Sequence, residues 1–129
     1  AYHYYTPAMK HFSFLVLICF VLLIPGKASA QAFSLVKDIN TSSNSGSSAP
    51  RQFINVNGIN FFTASSPTLG RELWKTDGTA TGTLLVKDIH PGVSSSLPSN
   101  LTDVNGVLFF CALDANTGTE LWKTDGTVA

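Results

Sequence analysis

The octamer ELWKTDGT occurs twice in this chain, at residues 72–79 and again at residues 120–127. Aligned at this spacing of 48 residues, the segment 53–79 matches the segment 101–127 at more than half of its positions. The similarity therefore extends far beyond the octamer, which indicates that a whole structural unit is copied rather than a short motif. A period near 50 residues is typical of β-propeller blades and of solenoids.

Each copy contains four extended segments. The first, QFINV, ends at the Asn-Gly pair of residues 57–58, the strongest short-range signal for a β-hairpin. The aromatic and β-branched segment INFFTA follows, then ELWKT, which ends at the Asp-Gly pair of residues 77–78, and finally TLLVKDI, whose LVKDI also occurs at residues 35–39. Since no segment after residue 30 has a helical period, we expect an all-β protein with about two four-stranded antiparallel blades of a β-propeller-like repeat array.

The N-terminal region has the order of a secretory signal peptide. Met9 and Lys10 precede the apolar run FSFLVLICFVLLI at residues 12–24, and the small residues Ala-Ser-Ala follow at 28–30. This run of 13 residues is shorter than the roughly 20 that a membrane-spanning helix needs. We therefore expect a signal-peptide helix, cleavage after Ala30, no stable membrane span in the mature chain, and a secreted, extracellular or cell-surface location.

These features divide the chain into four predicted parts. Residues 1–8 are interpreted as translated upstream residues, 9–30 as the signal peptide, 31–83 as repeat unit 1 and 84–129 as a truncated repeat unit 2. Stacked repeat architectures usually need at least about three units to cover their sheet faces. The chain is therefore interpreted as a fragment of a longer protein, whose further blades would be its nearest partners.

The charge of the chain bears on its partners. Six Lys or Arg residues and eight Asp or Glu residues lie after residue 30. This slightly acidic balance provides no attraction for phosphate backbones, so we expect no nucleic-acid partner. A glycan or a cell-envelope protein is the expected class of partner.

The residues of the two octamers are interpreted as structural. An Asp before Gly bonds the backbone of its own turn, and a Trp at the same point in each unit packs between neighbouring blades, with its N–H satisfied locally. The alternative is that the repeated acids converge, as paired glycosidase carboxylates or calcium ligands do. The residues with the structural role are Glu72, Leu73, Trp74, Asp77 and Gly78 in the first copy and Glu120, Leu121, Trp122, Asp125 and Gly126 in the second.

The loop DANTGTE offers calcium candidates. Asp114, Asn116 and Glu120 supply oxygen atoms at alternate positions, as in a calcium-binding loop. However, Gly118 stands where an acid or amide is required. We therefore predict no metal site and no cofactor.

No catalytic residue is predicted. His90, the only histidine after residue 30, has no Ser or Cys partner at the spacing of a recognised triad. Cys111 aligns with Thr63 inside a predicted strand, so we interpret it as a small buried or half-buried side chain rather than a reactive thiol.

The segments VKDI, NLTDVNGVLFF and GTELWKTDGT together resemble the ELWxxDGT repeat family, also called hyalin-like, of exported bacterial proteins. The resemblance covers nearly all of the mature chain and implies a secreted or surface-exposed protein of β-propeller-type repeats. It carries no catalytic residues to transfer. We therefore expect a noncatalytic exported or cell-surface repeat protein with a propeller-type binding or scaffold surface. The alternative is the N-terminal part of a secreted propeller-containing enzyme, such as a glycan hydrolase, whose active site lies elsewhere.

Overall fold

The computed structural model describes residues 32–42 and 46–128. The predicted signal peptide at 9–30 and the residues 1–8 before it lie outside the described residues. Within these limits the protein is all-β, with seven strands and no helix. The described part accordingly holds no helix of the length and apolarity that crossing a membrane requires.

The strands form two antiparallel sheets. Sheet 1 has four strands in the order β1-β2-β3-β4, and sheet 2 has three in the order β5-β6-β7. The all-β class is therefore confirmed, whereas the arrangement of these sheets as propeller blades stays a prediction. The strands are β1 (Arg51–Val56), β2 (Ile59–Ser66), β3 (Gly70–Thr76), β4 (Leu84–Lys87), β5 (Ser99–Val104), β6 (Val107–Asp114) and β7 (Gly118–Thr124).

The fourth strand begins directly after residue 83, where the sequence predicts the boundary between the repeat units. β4 pairs with β3, where Leu73 faces Lys87, so sheet 1 continues beyond residue 83. The predicted boundary follows the spacing of the repeated sequence, whereas the hydrogen bonds place residues 85–87 in sheet 1. The matching segment at residues 35–39 forms no strand in this structure.

Both Asn-Gly pairs form the predicted hairpin turns. Asn57 and Gly58 have φ angles of 50° and 83°, and Asn105 and Gly106 have φ angles of 51° and 82°. Positive φ at both central residues is the signature of a type I′ turn, which Asn and Gly adopt more readily than other residues. These turns fix the register of β1 on β2 and of β5 on β6.

The core lies on both sides of sheet 1. Residues 61–64 of β2 are all buried, because Phe61 packs towards sheet 2 while Phe62 packs on the opposite face, in a cluster with Ile39. In β6, by contrast, buried and half-buried residues alternate along the strand. Alternation is typical of a strand that is fully covered on one face only. Sheet 1 is therefore the middle layer, between residues 33–39 and sheet 2.

Candidate functional site

The carboxylate of Glu72 lies at the junction of the two sheets and is fully buried. Its Oε1 atom accepts a hydrogen bond of 2.9 Å from the main-chain N–H of Ser96. Its Oε2 atom accepts bonds of 3.1 Å from the N–H of Ile89 and 2.5 Å from Ser96 Oγ. Ser96 is also fully buried, and its carbonyl accepts a bond of 2.8 Å from Leu113 N in β6. Glu72 thus fastens the β4–β5 connection between the sheets.

The environment of Glu72 has opposing effects on its ionisation. Burial raises the pKa of the carboxyl group, whereas the bonds from Ser96 and Ile89 act to lower it and the negative charge of Asp88 raises it further. The pKa of Glu72 is raised overall. A buried acid with a raised pKa resembles a general acid, but every donor around this one belongs to the protein itself. The arrangement is suited to holding the junction.

Two further polar contacts join the sheets. Lys75 Nζ donates a bond of 2.5 Å to the carbonyl of Gly126, and Asn57 Nδ2 donates one of 3.0 Å to the carbonyl of Gly106. At Gly126 a Cβ atom would stand 2.9 Å from Ile59 Cδ1 and 3.0 Å from Phe61 Cζ. The Asp-Gly turn of sheet 2 is therefore pressed against β2 of sheet 1.

The apolar part of the junction is one cluster contributed by both sheets. Trp122 packs at its edge, and its Nε1 atom donates a bond of 3.2 Å to the carbonyl of Ala112. Trp74 lies in the other cluster, with Phe62 and Ala64, and its buried Nε1 has no acceptor among the described residues. The expected local partner of the indole N–H is thus present at Trp122 only. The buried members of the junction cluster are Val56, Phe61, Leu73, Val86, Ile89, Leu108, Phe110 and Ala112.

The two identical octamers have different surroundings. Leu73 is 0% exposed, while Leu121 is 70% exposed. Glu120 is likewise exposed, although Glu72 is buried. The difference arises because the relevant face of β3 is covered by sheet 2, and no described residue covers the corresponding face of β7.

The Asp residues of the octamers serve their turns. Asp77 Oδ1 accepts bonds from Thr79 Oγ1 at 2.7 Å and from Thr79 N at 2.9 Å. Asp125 Oδ1 accepts a bond of 2.9 Å from Thr127 N. These donors lower the pKa of both carboxyl groups. Both carboxylates thus bond their own turns, on a solvent-exposed part of the fold.

The calcium candidates lie in and beside the turn between β6 and β7. Asp114 Oδ1 accepts bonds of 2.7 Å from the N–H groups of both Thr117 and Asn116, and these donors lower its pKa. Asn116 and Glu120 are exposed. In the described part of the chain no three His, Cys, Asp or Glu side chains are close enough to share one ion. The loop therefore acts as a turn whose acceptor is Asp114.

A polar cleft lies where β1 approaches β5. It has a volume of about 220 Å³ and is lined in part by Arg51, Gln52, Arg71 and Ser99. Arg71 Nη1 donates bonds of 3.0 Å to the carbonyl of Ala49 and 3.3 Å to Thr63 Oγ1. Burial and the nearby charge of Arg51 lower the pKa of Arg71. The cleft thus holds two neighbouring cations.

The backbone around this cleft is strained. Four non-glycine residues have left-handed φ angles there: Ala49 (42°), Gln52 (54°), Leu97 (48°) and Asn100 (55°). Ala49 corresponds to Leu97 and Gln52 to Asn100 at the repeat spacing, so the conformation recurs in both copies, beside the irregular pairing of β1 with β2 and of β5 with β6. Sequence reasoning missed the cleft because Arg51 and Arg71 occur in the first copy only, where the second has Ser99 and Thr119.

His90 and Cys111 are the remaining candidate reactive residues of the described part. His90 Nδ1 is buried and has no hydrogen-bond partner among the described residues. Cys111 is half-buried in β6, opposite Ser99 and Leu121. Asn100 Nδ2 approaches Cys111 Sγ at 3.9 Å.

Comparisons of the chain with protein-family models, with curated proteins and with solved structures found no match. The resemblance to the ELWxxDGT family therefore depends on the sequence motifs alone. The roles of individual residues depend on the contacts given above.

Proposed function

We propose that this chain is a noncatalytic exported or cell-surface repeat protein whose sheets present a propeller-type surface for binding. The observation that carries the proposal is the position of Glu72. A general acid must come within about 2.6–3.2 Å of the substrate atom that it protonates. Glu72, the recurrent acid with a raised pKa, is fully buried and receives its hydrogen bonds from Ser96 and Ile89. Its role is to hold the sheets together.

The proposed binding surface is the cleft between β1 and β5. Arg51 and Arg71 lie close enough for the charge of one to lower the pKa of the other, and an anion placed between them would relieve this repulsion. Guanidinium groups bind carboxylates through paired hydrogen bonds. Gln52 and Ser99 add neutral hydrogen-bonding groups suited to hydroxyls. The ligand class that fits is an acidic glycan.

Export is supported by the sequence order of the N-terminal region and by the resemblance to exported repeat proteins. Its test is N-terminal sequencing of the protein recovered from the culture medium, where the mature chain is expected to begin at Gln31. Recovery of uncleaved protein in the cell fraction alone would contradict export. No contact among the described residues specifically supports the alternative, a secreted enzyme.

The binding proposal is tested by titrating the full chain with a uronic-acid oligosaccharide and with a neutral oligosaccharide of equal length. We expect the acidic sugar to bind more tightly. Arg51→Gln should weaken its binding by about tenfold to a hundredfold, since a charge-assisted hydrogen bond contributes roughly 1.5–3 kcal/mol. Lys87→Gln, an exposed charge outside the cleft lining, is the matched control. Equal binding of both sugars, or an unchanged Arg51→Gln variant, would rule out this site.

A further inference from the structure

Two surfaces meet at the junction between the sheets. Each of them has a counterpart elsewhere in the chain, and the counterparts do not pack against each other. On one side, Val56, Phe61 and Leu73 of sheet 1 are buried against sheet 2. Their counterparts 48 residues later are Val104, Phe109 and Leu121, which we call the leading face. Val104 is 45% exposed, Leu121 is largely exposed and Phe109 is half-buried. No described residue covers this face as sheet 2 covers sheet 1.

The other half of the junction also recurs. Phe110 and Ala112, which receive Leu73 and Phe61, correspond to Phe62 and Ala64 in sheet 1. Ile89, which packs beside them, corresponds to Ile39 through the LVKDI match, and Ile39 packs beside Phe62 in the same way. We call Phe62, Ala64, Ile39, Val36 and Phe53 the trailing face.

The trailing face is accessible at its edge, where Val36 is 42% exposed, whereas Phe62 and Ala64 are already buried. A groove of about 420 Å³ runs along it, lined in part by Val36, Phe53 and Phe62. Phe53 stacks on Phe62 with ring centroids 5.2 Å apart, yet 65% of Phe53 remains exposed. An exposed apolar groove with aromatic walls is typical of an interaction site. Its residue types match those that sheet 2 and its preceding segment offer, with Phe62 for Phe110, Ile39 for Ile89 and Val36 for Val86.

The polar contacts of the junction are duplicated as well. Glu120 corresponds to Glu72, and its counterpart donors are Ile39 N, Ser48 N and Ser48 Oγ. Ser48 has the local position of Ser96, since its carbonyl accepts a bond of 2.8 Å from Ser65 N just as Ser96 accepts one of 2.8 Å from Leu113 N. An acceptor without its donors and a matching set of donors are thus both present.

The hydrogen bond from Lys75 to Gly126 also has a counterpart. Lys75 bonds the carbonyl of Gly126, and the corresponding pair is Lys123 and Gly78. Lys123 is exposed. A Cβ atom at Gly78 would meet nothing within 4 Å, whereas one at Gly126 would meet sheet 1. Gly78 therefore has the open space that a docked sheet requires.

From these correspondences we propose that a second copy of this chain docks head to tail, with its leading face on the trailing face of the first. Glu120 of one copy enters the donor set of Ile39 and Ser48 in the other, and Lys123 bonds the carbonyl of Gly78. The contact is heterologous, so it continues through further copies until a ring closes. This inference is independent of the proposed ligand.

One position departs from the pattern and sets the strength of the contact. Leu108 is fully buried in the junction, but its counterpart Asn60 is exposed and bonded to Asn55. A polar side chain at this point of an apolar interface weakens association. Self-association is therefore weaker than the intrachain junction, and Asn60→Leu is expected to tighten it by about tenfold, the effect of burying one Leu side chain.

The test uses two single-face variants of the full chain. Leu121→Asp places a charge on the leading face, and Val36→Asp places one on the trailing face. Analytical ultracentrifugation should show concentration-dependent association of the unmodified chain, and each variant alone should associate about tenfold or more weakly, because docking would bury an unpaired carboxylate. Val93→Asp, at an exposed loop position, is the control and should associate like the unmodified chain.

Mixing the two variants distinguishes head-to-tail docking from a symmetric contact. Each variant keeps one intact face, so an equimolar mixture should form a one-to-one dimer and stop there. Failure of the mixture to dimerise, or unchanged association of Leu121→Asp alone, would overturn the proposal.

A cross-linking measurement gives an independent readout. Lys75 Nζ bonds the carbonyl of Gly126, the residue after Asp125, so a carbodiimide is expected to link Lys75 to Asp125 within the chain. The corresponding link between copies joins Lys123 to Asp77. Mixed isotope-labelled and unlabelled chains should yield Lys123–Asp77 peptides of mixed label, while Lys75–Asp125 peptides stay unmixed. The intrachain link without the mixed one would contradict docking, even if the variants failed to fold.

Discussion

Ser96 Oγ donates a 2.5 Å hydrogen bond to Glu72, and both side chains are fully buried although 24 residues separate them in sequence. Ser96 lies in the connection between β4 and β5, and Glu72 lies in β3. A carboxylate supplied with three protein donors therefore stands where the chain passes from sheet 1 to sheet 2. A replacement that cannot accept all three bonds leaves a buried donor unpaired.

Glu72→Gln is expected to destabilise the fold. The amide nitrogen would face a main-chain N–H or the Ser96 hydroxyl, and a buried unpaired polar group costs about 1–3 kcal/mol. The matched control is Glu120→Gln, at the same octamer position in sheet 2 but exposed to solvent, where we expect a change within about 0.5 kcal/mol. Urea unfolding of both variants at low protein concentration measures the difference. Equal losses would show that Glu72 does not hold the junction.

The stability contributed by Glu72 should depend on pH. Its folded-state pKa is raised above the ordinary value of 4.5, so the folded chain holds this proton to higher pH than the unfolded chain does. The contribution of Glu72 is therefore fully present below pH 4.5 and is lost as pH rises through the folded-state pKa. The free-energy difference between unmodified chain and Glu72→Gln should shrink over this window. A difference that is constant from pH 4 to pH 8 would contradict the raised pKa.

The two octamer leucines should differ strongly in their effect on stability. Leu73→Ala opens a cavity in the junction cluster and is expected to cost about 2–5 kcal/mol of unfolding free energy. Leu121→Ala changes an exposed side chain of the same local sequence, so its cost should stay within about 0.5 kcal/mol. Thermal or urea unfolding of the two variants measures the difference in their unfolding free energies. A large loss for Leu121→Ala at low protein concentration would contradict the exposure of this side chain.

Alanine substitutions at the two octamer glycines distinguish the effect of backbone strain from the effect of packing. Gly78 and Gly126 have nearly the same φ, 91° and 92°, so Ala carries a similar backbone cost at both. Only at Gly126 does the new methyl group collide with Ile59 and Phe61. We expect Gly126→Ala to lose about 1–3 kcal/mol more than Gly78→Ala, the usual cost of overpacking. Indistinguishable unfolding midpoints for the two variants would place the Asp125 turn away from β2.

Calcium should have no effect on the melting temperature. Asp114 Oδ1 is engaged by the N–H groups of Thr117 and Asn116, and the lone pairs that accept these bonds are not available to a cation. Ligand binding to the folded state would raise the melting temperature with concentration. Scanning calorimetry with millimolar calcium and with a chelator measures this. A rise that Asp114→Asn abolishes would establish a calcium site.

The local architecture could be predicted from the sequence because its signals are local. The Asn-Gly pairs fix both hairpins, and the strong β-formers of β2 and β6 select extended structure. The burial of each octamer could not be predicted, because Glu72 and Glu120 lie in identical eight-residue sequences. Only the cover supplied by a neighbouring sheet distinguishes them.

The missed contacts are long-range and come from segments without periodicity. Ser96 belongs to a Ser- and Pro-rich loop that offers no pattern marking it as the partner of Glu72. The cleft depends on Arg51 and Arg71, which meet across β2 only when sheet 1 has formed. The junction residues Glu72 and Ser96 recur in the other copy, whereas Arg51 and Arg71 of the cleft are replaced there by Ser99 and Thr119.

The two tryptophans give the molecule separate optical labels. Trp74 is 7% exposed and its buried N–H lacks an acceptor in the described part, while Trp122 is half-buried and bonded to a carbonyl. An indole in an apolar, dry environment emits at shorter wavelength than one near water. Fluorescence of the two single-tryptophan variants can therefore follow the melting of sheet 1 and of sheet 2 separately.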